Sequence, residues 1–305
     1  MKKSINSIHI AAPMLGLQNE YNRGKIVPSP VFKEQELAIL THGGIFHADE
    51  VCAIALLIVS HNPSFVNIYR APRKELDSGK FAVASSRGLK QLVTDNTEAN
   101  FFVLDCLGTY DTDEFFFDHH QNAELEATNV LIAQHEFTED YFKFIKDFLY
   151  RVSDVDRNRS GLEEVEQPTE ITAIIRSLNS VENGFILAVT MLVKYFVSTI
   201  NQYNKYIVSR KSYINMERVG NIKFTTTPMR LVNWQPDAKD EEVDVIVLPD
   251  GESDSDGYIA LSRSTKDYII PEDGDHSFRH NSGFLAKYPS LIVALKSLNA
   301  ISISK

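Results

Sequence analysis

Four apolar segments of this chain end in side chains that can bind metal. Ile39-Leu40 runs into Thr41-His42, Val103-Leu104 into Asp105, Phe115-Phe116-Phe117 into Asp118-His119-His120, and Leu149 to Val152 into Asp154 and Asp156. In an open parallel sheet, sites form in the crevice at the carboxyl ends of the strands, where side chains from separate strand ends converge. The pattern therefore points to an α/β architecture.

The surrounding residues agree with that reading. Ala38–Leu40 is a short apolar run closed by Thr41-His42-Gly43-Gly44, and continuous apolar residues follow from Val51 towards Ser60. Asp49 and Glu50 stand in the first turn of that expected helix, where its dipole favours negative charge. Strand, glycine-bearing loop and buried helix open an α/β unit. Val66–Arg70 and Phe101–Leu104 are expected strands, and the three consecutive phenylalanines a short strand buried on both faces. Gly88–Val93, Thr169–Leu178 and an amphipathic segment from Glu139 through Val152 are expected helices.

Residues 1–35 are polar and broken by Pro13, Gly16, Gly24, Pro28 and Pro30, an N-terminal arm that is ordered only if it docks. Residues 36–216 form the expected first domain, ending in one long helix from Gly184 that serves as a connector. Beyond residue 217 the texture changes to the strands Ile222–Thr227, Val243–Leu248 and Tyr258–Arg263 and the closing helix Pro289–Leu298, a smaller α+β domain. The chain's 305 residues, 43% apolar, suffice for two such cores.

The charge of −10 argues against a general polyanion-binding surface, although bound divalent ions reverse the sign inside a cleft. Two cysteines, Cys52 and Cys106, are too few for a disulfide framework and indicate a reducing compartment. Cys52 reads as core, and Cys106 as a neighbour of Asp105 without a base of its own. No continuous apolar run reaches about 18 residues, and no signal segment is evident, so a cytoplasmic protein with no membrane partner is expected. The aspartate-rich stretch Asp254–Gly257 lacks the other ligands of a calcium loop and is read as a turn.

A convergent set of imidazoles and carboxylates suits two divalent ions roughly 3.5–4 Å apart, as in two-metal hydrolytic sites. The mixed nitrogen and oxygen donors favour Mn²⁺ first and Mg²⁺ second over a structural zinc.

Thr41-His42-Gly43-Gly44-Ile45-Phe46-His47-Ala48-Asp49-Glu50 resembles the signature of the melanocyte-proliferating-gene exonuclease family, a branch of the DHH phosphoesterases. Phe117-Asp118-His119-His120-Gln121 is similar to a second element of that family, Phe148–Asp156 to a third, and His280-Asn281-Ser282-Gly283-Phe284 to one near its C-terminus. The resemblance implies a parallel-sheet N-terminal domain of DHH type, with a second, smaller α+β domain closing over it. It implies metal ligation by His42, His47, Asp49, Asp105, His119 and Asp156, with Asp154 as the alternative to Asp156. Asp105 would bridge the ions, Asp118 would orient the neighbouring imidazole, and His120 would face the substrate phosphate. Arg263, His280 and Ser282 are candidate substrate contacts from the second domain.

The implied activity is that of a metal-dependent phosphodiesterase, a 3′→5′ exonuclease on RNA or short single-stranded nucleic acid. The alternatives are a hydrolase of a small phosphate ester, such as pyrophosphate or a short oligonucleotide, and a metal-binding interaction protein without turnover. Two departures motivate the last: Arg157 to Gly161 where the family has Asn-Gly, and Ala286-Lys287 where it has Gly-Gly.

Overall fold

The computed structural model describes residues 6–11, 36–76, 88–90, 100–157, 170–232, 234–251, 257–264, 266 and 268–298. Most of the expected N-terminal arm, the second half of the expected helix Gly88–Val93, residues 158–161 and nearly all of the aspartate-rich turn lie outside that set. The chain divides into two compact units, residues 1–201 and 202–305. The division falls inside the long helix that begins at Gly184.

The first unit holds a six-stranded sheet. Its strands are β1 (Asn6–Ala11), β2 (Glu36–His42), β3 (Phe65–Ala71), β4 (Asn100–Leu104), β5 (Tyr110–Asp111) and β6 (Phe116–Phe117), in the order β1-β3-β2-β4-β6-β5. The inner strands β3, β2, β4 and β6 run parallel. Both edge strands are antiparallel, so the sheet is mixed rather than purely parallel. The β5–β6 connection is too short for a parallel crossover, and the N-terminal arm does dock, its residues 6–11 pairing with β3.

The helices are α1 (Ala48–His61), α2 (Arg73–Leu76), α3 (Thr128–Glu136), α4 (Glu139–Asp156), α5 (Ile171–Leu178) and α6 (Gly184–Ile214). Every residue of α1 from Asp49 to Ser60 is buried, as a helix apolar on all sides must be. It packs against β2, β4, α3, α4 and α5. Period-2 alternation divides the sheet: Ala38, Leu40, Phe101, Val103 and Phe116 share one cluster with Leu76 and Leu89. On the other face, Phe102 packs on His61 of α1 and Phe117 on His135 of α3. α6 is long and apolar enough by composition to cross a membrane, but half of its most apolar window is buried inside the protein.

The phenylalanine run departs from expectation. Only Phe116 and Phe117 are strand, while Phe115 is 39% exposed with φ 60°. The turn that brings the chain from β5 into β6 uses Phe115 as its left-handed residue, which places a large side chain outside the core.

α1 and α3 are joined at their C-terminal ends by a buried carboxylate. Glu136 lies 3.0 Å from Nε2 of His61 and 2.9 Å from Nδ1 of His135. A carboxylate at a helix C-terminus opposes the dipole, and burial would also raise its pKa. The hydrogen bonds from His135 and His61 outweigh burial and hold the pKa down at about 2. A depressed carboxylate stabilises the fold above its unfolded value near 4.5, and that stabilisation is lost as pH falls towards 2. Glu136→Gln is therefore expected to lower Tm clearly at pH 7, with the gap to wild type closing between about pH 4.5 and 2. Thermal melts across that window check it, and a gap that stays constant would show that the charge of Glu136 is immaterial.

The second unit contains the C-terminal half of α6 and a second six-stranded sheet, order β11-β12-β10-β9-β8-β7. Its strands are β7 (Glu217–Val219), β8 (Ile222–Phe224), β9 (Val245–Pro249), β10 (Tyr258–Ser262), β11 (Phe278–Arg279) and β12 (Leu285–Tyr288). Only β8 and β9 are parallel. Helices α7 (Gln235–Asp240) and α8 (Leu291–Ser297) complete it. Ile222, Val247, Ala260, Ala286 and Leu295 make its core, and the Ser290 hydroxyl caps α8 by accepting from the Val293 N–H at 3.3 Å.

Candidate metal centre

The strand order reverses at β2. The chain passes from β2 through α1 to β3 on one side, then returns to place β4 on the other. A crevice opens at such a switch point, outside the carboxyl ends of the strands. Register fills it with specific side chains. β2 pairs His42 with Ala71 of β3, and Leu40 with Val103 of β4. Two residues further on, His42 stands beside Asp105. Leu104 pairs with Phe117, so Asp105 in turn stands beside Asp118. One row across the sheet edge thus reads Ala71, His42, Asp105, Asp118.

Asp105 is the centre of the row. It is 1% exposed and has φ 51°, a left-handed conformation that Asp tolerates better than most residues. Its N–H still donates to Phe117 O at 2.9 Å, so the strand ladder continues to the residue that turns. Its Oδ2 is 3.2 Å from Nε2 of His42, and its Oδ1 is 3.7 Å from Nδ1 of His119 and 3.5 Å from Nδ1 of His120. Burial lowers the pKa of His42, but the Asp105 hydrogen bond and the charges of Glu50 and Asp105 outweigh it and leave it raised.

α1 supplies the next groups. Gly43 lets the chain pass close to β3: its N–H donates to Ala71 O at 2.6 Å, and a Cβ there would sit 3.2 Å from the same oxygen. His47 is the N-cap of α1 and is 44% exposed, while Asp49 is fully buried. Both carboxylate oxygens of Asp49 are buried, and a single backbone N–H, that of Glu50, is what eases the burial of its charge. Burial first, then the charges of Asp105 and Asp156, push its pKa well up. A buried carboxylate with so little support is costly in its charged form unless it takes up a proton or a cation accompanies it. This is the observation that fits the residues to a metal.

α4 delivers Asp156 at its last residue. The carboxylate lies 3.0 Å from Nε2 of His119 and 3.9 Å from Nδ1 of His47. Burial would raise its pKa, but the His119 hydrogen bond and the charges of His119 and His47 hold it down. Asp154, the alternative, is not in any of the ligand sets formed by the described residues. Arg157 clamps this end of α4: its guanidinium donates to Ala123 O and pairs with Glu126 at 2.8 Å. Ser153 joins the clamp by donating to Glu126 Oε2 at 2.7 Å and accepting from the Ala127 N–H at 3.0 Å. The departure at Arg157 is thus built into the support of Asp156 and of the loop after His120.

Asp118, His119 and His120 have separate environments. Asp118 is buried; its oxygens accept from the Gly108 N–H at 2.6 Å, the His120 N–H at 3.0 Å and His120 Nδ1 at 2.7 Å. Burial would raise the Asp118 pKa, yet these bonds hold it below the usual carboxylate range. His119 is buried between Asp105 and Asp156, and the Thr128 hydroxyl lies 3.5 Å from its Nδ1. His120 is 47% exposed and stacks on His119 with ring centroids 4.4 Å apart. The Asp118 hydrogen bond raises its pKa.

The donor atoms assemble into three overlapping sets, each within 4.8 Å: Asp105, Asp118, His119 and His120; His42, His47 and Asp105; His47, Asp49 and Asp156. Asp105 links the first two sets and His47 the last two. This cluster of buried Asp and His could hold metal ions, and all six residues expected to ligate are in it. Two residues that the sequence reading left out also belong here. Glu50 is fully buried, accepts from the Thr41 hydroxyl at 2.9 Å, and lies 3.3 Å from His42 Nε2 and 3.6 Å from Arg70. Thr128 is buried with its hydroxyl 3.5 Å from Asp105 Oδ1. Glu50 had a readable signal, since it follows Asp49 in the helix's first turn. Thr128 had none.

The second-unit candidates have partners of their own. Arg263 follows the interior strand β10, and its guanidinium pairs with Asp244 at 3.3 Å. His280 and Ser282 are exposed and share a hydrogen bond of 2.9 Å in the β11–β12 connection. Gly283 in the same turn has φ +70°, and a Cβ there would lie 2.4 Å from the Ile269 side chain, so only glycine fits.

Residues 38–132 match the profile of the family MYG1_exonuc, described as an uncharacterised protein family (UPF0160). The matched segment carries His42, His47, Asp49, Asp105 and Asp118-His119-His120; Asp156 and the second unit lie beyond it. The match supports the family resemblance over the segment that holds the first two motifs, the other two lie beyond it, and the family's name is that of an exonuclease. No curated protein and no solved structure matches the chain.

Proposed function

We propose that this chain, whose residues 38–132 carry the MYG1-type family match, is a two-metal phosphodiesterase, a 3′→5′ exonuclease on RNA or short single-stranded nucleic acid. The observation that carries this reading is Asp105, buried at a strand end, left-handed, and shared between two sets of ligand atoms. Such a carboxylate suits a bridge between two ions. His42, His47, Asp49, His119 and Asp156 would complete the ligands around it, with Mn²⁺ or Mg²⁺ as the ions. Bound ions would polarise the phosphoryl group and lower the pKa of water near it.

The protein's own groups would do the rest. Asp118, kept ionised by two backbone N–H groups and His120, fixes the His120 ring and occupies its Nδ1. Nε2 of His120 is then the atom available to a substrate oxygen, and the Asp118 hydrogen bond, which raises the ring's pKa, favours the protonated form that could donate there. Glu50 and Thr128 hold His42 and Asp105 in place from the protein side, as supporting residues of a metal site do. The net charge of −10 favours a short or single strand gripped locally over a long duplex.

Hydrolysis of end-labelled single-stranded RNA, single-stranded DNA and pyrophosphate, with and without Mn²⁺, tests the reading. Shortening of RNA from its 3′ end only with metal is the expected result. Turnover of pyrophosphate alone would replace the substrate class, and metal binding without turnover of any of them would leave a metal-binding interaction protein.

A further inference from the structure

We propose that Arg73, with Lys74 beside it, grips a phosphate of the substrate at the metal centre. The inference rests on the phosphodiesterase reading and adds to it the group that binds the substrate's own charge.

Topology places Arg73 there. β3 is the parallel strand next to β2, and its last residue, Ala71, pairs with His42. The strand ends of β2, β4 and β6 lead into His42, Asp105 and Asp118; that of β3 leads into Pro72, Arg73 and Lys74. Arg73 thus stands two residues beyond the row that forms the site. The turn is well anchored. Gly43 N–H donates to Ala71 O at 2.6 Å, and the N–H groups of Glu75 and Leu76 donate to Pro72 O at 2.8 and 3.2 Å. Leu76 is buried in the cluster that holds Ala71 and Cys106, the residue after Asp105, with Leu107 packed against it. Arg73 and Lys74 themselves are exposed.

Charge makes the position useful. Asp49, Glu50, Asp105, Asp118 and Asp156 are all carboxylates at this edge, and Arg70 is committed to Glu50 and to the Phe185 ring, 4.3 Å from its Cζ. Among the described residues no carboxylate pairs with Arg73. A planar guanidinium matches phosphate oxygens in pairs. On a chain of net charge −10, a local cation is what draws a phosphodiester to this edge.

The test is binding of a fluorescein-labelled single-stranded RNA oligomer, with Ca²⁺ in place of Mn²⁺ to hold back turnover, across a series of salt concentrations. Arg73→Gln is expected to weaken binding about tenfold or more and to flatten the slope of log K against log salt by about 0.7. Arg73→Lys should keep the slope and lose part of the affinity. Mn²⁺ affinity should be unchanged in both variants, and Lys143→Gln, on the exposed side of α4, should behave as wild type. Wild-type affinity and slope in Arg73→Gln would overturn the proposal alone. A wild-type protein that binds no RNA at any salt would overturn it together with the phosphodiesterase reading.

Discussion

Asp105→Asn is expected to abolish metal-dependent hydrolysis, by a factor on the order of 10³ or more, while the protein keeps its fold and Tm within a few degrees. The substitution is nearly isosteric, and Asn adopts the left-handed conformation required at φ 51° as readily as Asp does. The backbone bond from residue 105 to Phe117 O is untouched. What disappears is the charge next to His42, His119 and His120. Without it, the two ligand sets that share Asp105 lose their common member, so Mn²⁺ titration should lose both ions or retain one weakly. Full activity in this variant would remove the proposed site altogether.

The second large effect separates two neighbours in sequence. His119→Ala should lose a metal ion, because the buried imidazole lies between Asp105 and Asp156. His120→Ala should keep the metal content of wild type yet lose turnover by about 10² to 10⁴, because its ring is half exposed and its Nδ1 is committed to Asp118. The atoms also permit a competing outcome, since His120 lies within the ligand set of Asp105, Asp118 and His119. Metal analysis of the two purified variants, beside their rates, decides between them. Loss of an ion in His120→Ala would make His120 a ligand and leave the phosphate without its imidazole.

What could be read in advance follows from where the information resides. Strand ends were legible because an apolar run must stop where the core stops, and each stopped at His42, Asp105 or Asp118. The buried helix α1 was legible from its unbroken apolar run. The edges of the first sheet were not: β1 is a short segment in a polar stretch, and its order comes from pairing with β3 rather than from its own pattern. Phe115 misled because three aromatics satisfy a strand pattern whether or not the first is used as a turn. In the second unit, β11 and β12 hold only Phe278–Arg279 and Leu285–Tyr288, too few residues to show an alternation. Within the site, residue types with one main chemistry, His and Asp, stood out. Glu50 was legible as a first-turn acid beside Asp49, whereas Thr128, Ser153 and Arg157 act through partners distant in sequence, and no local pattern announces such partners. Arg73 was hidden for a further reason: a cation after a strand is commonplace until the register shows that the strand is neighbour to His42.

The central claim is that Asp105 joins two ions in one site, and electron paramagnetic resonance of the Mn²⁺-loaded wild-type protein addresses it most directly. Two Mn²⁺ ions bridged by a carboxylate couple magnetically, so the expected spectrum at saturating Mn²⁺ is that of a spin-coupled pair, absent from Asp105→Asn. An uncoupled spectrum of isolated Mn²⁺ at saturation, or no bound Mn²⁺ at all, would contradict the account.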